Sequence, residues 1–591
     1  MKTIKIGCAS GFWGDSNMST PQLLASKELD YLVFDYLAEI TMSIMARQRA
    51  KNPEHGYAHD FVSTVMKEAL PEVAAQGVKV ISNGGGVNPE SCGRALEALI
   101  AELGLNLKVA VVTGDDLMDW VEQLRADGVT EMFSGTEMPK EFMSMNAYLG
   151  AFPVAAALAK GADIVITGRG VDSAVTLGAC IHEFGWKTDD YDELAGGSLA
   201  GHIIECGAQA TGGLFTDWQL TDDWANIGYP IVEVSDDGSF VAGKPEGTDG
   251  IVCPGSVAEQ MVYEIGDPQA YILPDVVCDF SQVEMKLVGD QKVKVSGTKG
   301  SKPTDTLKVS ATYFDGFRLV CGVTIRGFDA EGKARKTLES VLRRTRRMLK
   351  EKNVPDFTEV HMDFVGAETE YGSGARAKGA REVWGRLGAK HPSQAALGAL
   401  LREMTSSGTS MSPGTTGGGG GRPKPSPVVR LFSFLVDKQT ISPTVHFAGD
   451  SWTVPLAEGE PFDTAKIARP RIEQAAVAGP TREVPLIQIA HGRSGDKGNN
   501  ANIGIIARKP EFLPIIREQL SIAAVADYFG HLLEGGVDRF DLPGISAVNF
   551  VLHDVLGGGG IASLRQDPQG KAYAQMLLDF PIRVPESLLE N

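Results

Sequence analysis

Long apolar runs are missing from this sequence. No stretch approaches the ~20 hydrophobic residues that a bilayer-spanning helix needs, and the N-terminus lacks the basic–apolar–small layout of a signal peptide. Basic excess is missing too. Fifty-six Lys and Arg face 75 Asp and Glu, a net charge of −19, which argues against nucleic acid or an anionic membrane as a partner. The one basic run, residues 334–350, reads as the solvated face of a helix packed through Leu338, Val341, Leu342 and Leu349. Cysteine is sparse: seven residues, odd in number and with no C-x-x-C pair, which excludes a disulfide framework, argues against structural zinc and fits free thiols in a reducing cytoplasm. Also absent are G-x-G-x-x-G, the Walker spacing and the G-x-S-x-G elbow, so nicotinamide, flavin, P-loop and Ser-hydrolase chemistry lose their fingerprints. No metal-ligand spacing appears; Asp-rich loops would accept Mg2+, but nothing marks a site, and no cofactor is firmly implied.

What is present is an alternation. Short apolar strands at 2–9, 31–37, 78–82, 109–113 and 163–167 are separated by helical patterns, the grammar of an α/β fold with a mostly parallel sheet and helices on both faces. Each strand runs into a Gly, Asp or Asn loop: Gly11, Gly14 and Asp15; Asn83, Gly84 and Gly85; Asp115; Arg169 and Asp172. In a parallel sheet these loops gather on the carboxyl edge, where ligands bind. Asp115 reads first as a helix N-cap, whereas an Arg at a strand end such as Arg169 can fork onto a carboxylate or phosphate. Gly212 and Gly213 mark a close backbone approach, to a ligand or to another element.

From residue 229 the pattern turns α+β, with a hairpin over 233–240, strands over 283–295 and 307–325, and a long helix over 331–352. We expect a region 1–465, divided as 1–228 and 229–465, then a linker 466–482 and a small domain 483–591. The Gly/Pro-rich stretch 406–427 reads as a mobile active-site loop, with a floppy linker as the alternative. Thr415, Thr416 and Arg422 would offer it donors.

The organising stretch is 487–508, IQIAHGRSGDKGNNANIGIIAR. It reads as strand–loop–strand, its polar loop carrying His491, Arg493, Ser494, Gly495, Asp496 and Lys497, and its glycines able to aim N–H groups at an anion. Beyond it, a helix over 514–532, strands over 537–542 and 547–552 and a helix over 571–578 give a β-β-α-β-β-α order, suited to a ferredoxin-like α+β sandwich.

GRSGDKG with its N-I-G strand resembles the C-terminal domain of the acyclic terpene utilisation (AtuA) family. The resemblance continues through GCASGFWGDS (7–16), ISNGGGVNPESCG (81–93), ITGRGVDSAVTLGACIHEFGW (166–186), TGGLFTDW (211–218) and SPGTTGGGGGRPKPSPV (412–428). It implies a ferredoxin-like C-terminal domain and a place in the catabolism of acyclic terpenoids or branched acids, whose later intermediates are coenzyme A thioesters. The leading expectation is a lyase, hydratase-like, moving water or a proton beside the thioester of a branched acyl-CoA. Asp15, Asp172, His491 and Asp496 are the available bases, and Lys497 and Arg169 would neutralise an anion. The alternative is a non-catalytic accessory or assembly protein of the pathway's carboxylase or dehydrogenase. A homo-oligomer is expected on size alone.

Overall fold

The computed structural model describes residues 2–416, 421–470 and 479–589. Part of the 406–427 loop and part of the 466–482 linker therefore lie outside the described residues.

Five strands form the parallel centre of an eleven-stranded sheet, in the order Thr3–Cys8, Tyr31–Phe34, Lys79–Ser82, Ile164–Thr167, Val109–Thr113. They are buried on both faces, and their alternation divides neighbouring residues between two cores. Tyr31 and Val33 join one, Leu32 and Phe34 the other. Antiparallel hairpins extend both edges: Ile231–Ser235 with Phe240–Gly243, continued by the strands Glu284–Gly289 and Lys292–Ser296, and Thr444–Phe447 with Asp450–Thr453. The change of sequence pattern at 229 is thus not a break in the sheet.

A second sheet is built on one long strand, Thr306–Arg326. Its first half pairs with Ser426–Asp437 and Ser144–Ala147, and its second half with Glu382–His391. Beneath the second half lies the helix Ala330–Glu351, with Leu338, Val341, Leu342 and Leu349 inward and the Arg/Lys face outward, as its amphipathic spacing predicts.

The C-terminal domain is a four-stranded antiparallel sheet, ordered Ala490–Lys497, Asn500–Ala507, Ala547–Leu552, Val537–Leu542, with helices packed over one face around its own core. The helix expected over 514–532 is two helices, Leu513–Gln519 and Ile522–Tyr528. Leu520 leaves helical geometry, and the Ser521 hydroxyl caps the second helix by accepting from the Ala524 N–H at 3.1 Å.

The sequence reading of 490–497 needs correction. This segment is a strand rather than a loop, paired residue for residue from Ala490↔Ala507 to Lys497↔Asn500, and the chain turns only at Gly498, at φ 63°. As an edge strand it gives alternate N–H groups to the ladder, and on its free edge the Gly492 N–H donates to the Thr216 hydroxyl (3.2 Å). Gly495 serves a different need: a Cβ there would lie 2.5 Å from the Tyr263 ring. On the next strand, a Cβ on Gly504 would lie 2.2 Å from Val262 Cγ2. The two glycines let segment 262–266 lie flat on the open face of the sheet. Two buried amides lock it there: Asn502 Nδ2 donates to Val262 O (2.6 Å) and its Oδ1 accepts from Glu264 N (2.9 Å), while Asn549 Nδ2 donates to Ile265 O (3.0 Å) and Gly266 O (2.7 Å).

Candidate functional site

The tip of the C-terminal hairpin meets the carboxyl edge of the parallel sheet, and charged groups from both sides converge there. From the sheet edge come Asp35, Glu39, Arg169 and Asp172, from the long strand Lys308, from the docked segment Glu264, and from the C-terminal domain Asp496, Lys497 and Lys571, each within electrostatic reach of others in the group.

Arg169 is the buried foundation of the sheet side, at 4% exposure. Its guanidinium donates to Leu37 O (2.6 Å), Asp172 Oδ1 (3.0 Å) and the Tyr148 hydroxyl (3.1 Å), and its plane lies 4.4 Å from the centre of the Tyr148 ring. Its backbone N–H is held by Asp115 Oδ2 at 2.8 Å, so Asp115 buttresses the 168–169 turn rather than capping a helix. Arg169 therefore positions Asp172 and is not free to fork onto a substrate. Burial pushes the Asp172 carboxyl up to about 6 against the opposing charge of Arg169. Glu39, hydrogen-bonded by the Tyr148 hydroxyl, is also raised by burial, but Arg169 and Lys308 outweigh this and hold it at about 2.

On the other side, Lys571 Nζ bonds the Tyr263 hydroxyl, reaches Glu264 Oε1 at 3.0 Å and lies 3.6 Å from Asp496 Oδ1. Burial and the Glu264 charge push Asp496 up to about 7. Lys497 Nζ lies 3.8 Å from Glu264 Oε2, and its side chain is 57% exposed. Burial disfavours its charge, but Glu264, Tyr271, Asp172 and Glu39 together hold the ammonium firmly protonated. These groups come from both sides of the cleft, so Lys497 spans it.

Under the cleft lies a dyad that sequence reasoning passed over. His202, 2% exposed, places Nε2 3.1 Å from Met261 O and Nδ1 2.9 Å from Glu205 Oε1. A carbonyl only accepts, so Nε2 carries a proton. Nδ1 and Glu205 then share one more, and the Glu205 charge overrides burial in favouring the imidazolium. Glu205 Oε2 is buried without a hydrogen-bond partner among the described residues, and the Glu205 charge, like that of Asp172, raises the buried Asp35 carboxyl.

The structure brings Asp172, Asp496, Lys497 and Arg169 to one cleft and sends other candidates elsewhere. His491 stands at the opposite end of its strand from Lys497, about 20 Å away at ~3.3 Å per residue. There it contacts Asp217 Oδ2 (2.9 Å) and Arg508 (2.9 Å), while Arg508 grips both Asp217 oxygens at 2.6 Å. That triad fastens the C-terminal domain to the 215–217 turn. Arg493 does similar work, donating to Gln209 Oε1 (2.5 Å) and lying 4.7 Å from the Tyr263 ring centre. Ser494 is fully buried, donating to Gly570 O (2.6 Å) and accepting from Ala574 N (2.9 Å). Asp15 closes its own loop through the Gly11 and Ser16 N–H groups (2.9 and 2.7 Å) and accepts from the Tyr229 hydroxyl (3.1 Å).

Five of the glycine candidates lie in close packing. A Cβ on Gly11 would strike the 206–207 backbone, on Gly85 the Thr167 carbonyl, on Gly212 Ile251 and on Gly213 the Ala208 carbonyl. Gly84 lies under the Tyr36 ring, Gly14 faces open space, and Asn83 ties Asp35 Oδ1 (2.6 Å) to the Tyr36 N–H (2.8 Å). Thr415 and Thr416 pair with Ile325 and Thr324, at the end of the long strand remote from Lys308, and Arg422 is exposed. The two threonines therefore do not close over this chain's cleft.

Elsewhere, an apolar groove of about 280 Å³ runs between the helices Ser19–Ala25 and Lys67–Gln76, with Glu68 and Glu72 as its only charged lining. His361, Asp363 and Glu370 bring three possible metal-ligand atoms within 4.8 Å, but Asp363 is already taken by Arg386, and the group reads as an ion-pair network. All seven cysteines are free, and among the described residues no helix is long and apolar enough to cross a membrane.

Residues 4–447 match the family model described as acyclic terpene utilisation family protein AtuA, and residues 484–583 match the AtuA ferredoxin-like domain. No curated protein and no solved structure matches the chain.

Proposed function

Because the chain belongs to the acyclic terpene utilisation family, we propose that it is an enzyme of acyclic terpenoid or branched-acid catabolism that moves a proton beside the carbonyl of an acyl-CoA thioester. One observation carries this reading: two carboxyls poised near neutrality, Asp172 at about 6 and Asp496 at about 7, face an accessible ammonium, Lys497, across one cleft. General acid–base catalysis works best when the pKa of the group lies near the operating pH. Either carboxyl would take the proton α to the carbonyl, and the other would return one. Lys497 would hold the enolate oxygen while it is negative, and loss of a β-hydroxyl would make the same step a dehydration.

The first test is thermal denaturation of the full chain against coenzyme A, short and branched acyl-CoAs, free terpenoid acids, nucleotides and Mg2+. A ligand at a hundred times its Kd stabilises by roughly 2.7 kcal/mol. A shift with acyl-CoAs that disappears in Asp496→Asn and Lys497→Ala supports the reading. Full turnover by both variants would remove the C-terminal hairpin from the chemistry. No shift with any ligand, together with a stable protein partner on capture, would make this an accessory protein of the pathway instead.

A further inference from the structure

Phe328 stands almost wholly in water, at 92% exposure. It is the middle residue of a turn whose neighbours, Gly327 and Asp329, both have positive φ, at 96° and 50°. The Asp329 carboxylate fixes that turn by accepting from the Gly332 N–H (3.2 Å) at the start of the helix Ala330–Glu351. The outward aim of the ring is thus set by the backbone. With ion pairs and the capping Asp329 set aside, the charge around the ring is positive. Arg326 is matched by Glu382 (2.6 Å) and Arg335 by Glu331 (2.9 Å). Arg381, whose carbonyl accepts from the Gly327 N–H (2.9 Å), has no ion-pair partner among the described residues. Nor has Lys333, whose ammonium donates to the Arg326 carbonyl (2.9 Å). A single exposed phenylalanine needs no explanation, but one beside two unmatched cations has the form of an anchor.

The groove between the helices Ser19–Ala25 and Lys67–Gln76 is its chemical complement. Leu24 and Ala69 are buried in it and Val65 half-buried, and its volume of about 280 Å³ exceeds the ~150 Å³ that holds a benzene ring. Glu68 and Glu72 stand four residues apart on one helix, hence on one face, where like charges repel. Glu72 accepts from the Gln76 amide (2.6 Å), and neither carboxylate has a cationic partner among the described residues. An apolar slot edged by two unmatched carboxylates therefore fits an aromatic ring flanked by two unmatched cations. The exposure of Phe328 shows that ring and slot do not meet within one chain.

We propose that Phe328 of one copy of this chain seats in the groove of a second copy, with Arg381 and Lys333 meeting Glu68 and Glu72. The contact then has an apolar centre and a charged rim. One such ring buries about 150–250 Å². A stable interface buries about 1,200 Å² or more, so the ring is the anchor of a wider contact, made twice where a two-fold axis relates the copies. Knob and groove are different surfaces, so each copy gives one and receives one. The inference is independent of the chemistry proposed for the cleft.

The test is sedimentation equilibrium of the full chain. The wild type is expected to self-associate, and Phe328→Ser to weaken that association about tenfold or more, the worth of one buried aromatic ring. Because the ring is exposed in the single chain, the far-UV circular dichroism of the variant should match the wild type. Charge reversal in the groove (Glu68→Lys with Glu72→Lys) or beside the knob (Lys333→Glu with Arg381→Glu) should also loosen self-association. Mixing the two reversed chains should restore it, since each groove then meets a knob of opposite charge, a result that misfolding cannot give. A wild type that stays monomeric, an oligomer unmoved by Phe328→Ser, or reversed chains that fail to associate on mixing would each overturn the proposal. A monomer whose groove instead holds a small apolar molecule or an unrelated protein would overturn it in favour of that occupant.

Discussion

Asp496 is a residue whose stability cost can be measured apart from any activity. In the unfolded chain its carboxyl titrates near 3.8, and in the fold near 7, because burial and Glu264 disfavour its charge. Between those values the native state binds the proton more tightly than the unfolded state. The contribution of Asp496 to stability therefore falls as pH rises from about 4 to about 7 and stays at its lowest above that. Asp496→Asn removes the penalty. Urea denaturation should show the variant gaining on wild type between pH 4 and pH 8, by an amount whose upper bound is about 4 kcal/mol. A constant difference across that range would mean that Asp496 is not held in this environment. The dyad beneath the cleft makes a second prediction at this scale. In Glu205→Gln, His202 loses the charge that outweighs its burial, so its NMR titration should move down. An unmoved titration would exclude a shared proton.

At the scale of elements, the organising contact is the docking of segment 262–266 on the hairpin Ala490–Lys497/Asn500–Ala507. Gly504→Ala should cost about 1–3 kcal/mol of unfolding free energy, because its Cβ meets Val262. Val262→Ala in the same chain should recover part of that loss; a cycle with no coupling between the two would show that they do not touch. The same contact shows which signals a sequence exposes. The five parallel strands were readable because burial on both faces requires unbroken apolar runs, and the loops after them were readable as an edge because parallel strands end together. Gly495 reads in the sequence as part of a ligand-binding loop, and Asn502 and Gly504 carry no signal beyond the N-I-G strand, because the reason for all three lies some 240 positions earlier in the chain, where a neighbouring segment presses on the strand. Likewise Asp172, Asp496 and Lys497 carried local signals, whereas Lys308, Glu264 and Lys571 enter the cleft from an ordinary strand, a helix end and a short turn, with nothing in their neighbours to mark them.

Over the whole molecule, the C-terminal domain is held by separate fastenings, with the Arg508–Asp217–His491 triad at one end of its first strand and the cleft at the other. Asp217→Asn leaves Arg508 without its carboxylate and should weaken docking by about 1–2 kcal/mol, a value between exposed and buried pairs. Hydrogen exchange should then rise in residues 211–218 and 487–492 while the core strands Ile503–Ile506 stay protected. Equal exchange in wild type and variant would mean that the triad bears no docking load.

Lys497 has a last consequence, one of inheritance. The larger region and the domain from residue 484 bury separate cores, yet each supplies only part of the cleft: Asp172 and Glu264 come from the first, Asp496, Lys497 and Lys571 from the second. If the cleft is the active site proposed above, a gene cut between them would encode two polypeptides that each lack part of it. Supplied together, they could restore the site by association, since the surfaces that meet are already complementary. On that reading the joint matters as much as the groups it brings together: a substitution at Gly504 or Asn502, which hold segment 262–266 against the hairpin, is expected to read in a genetic screen as a loss of function.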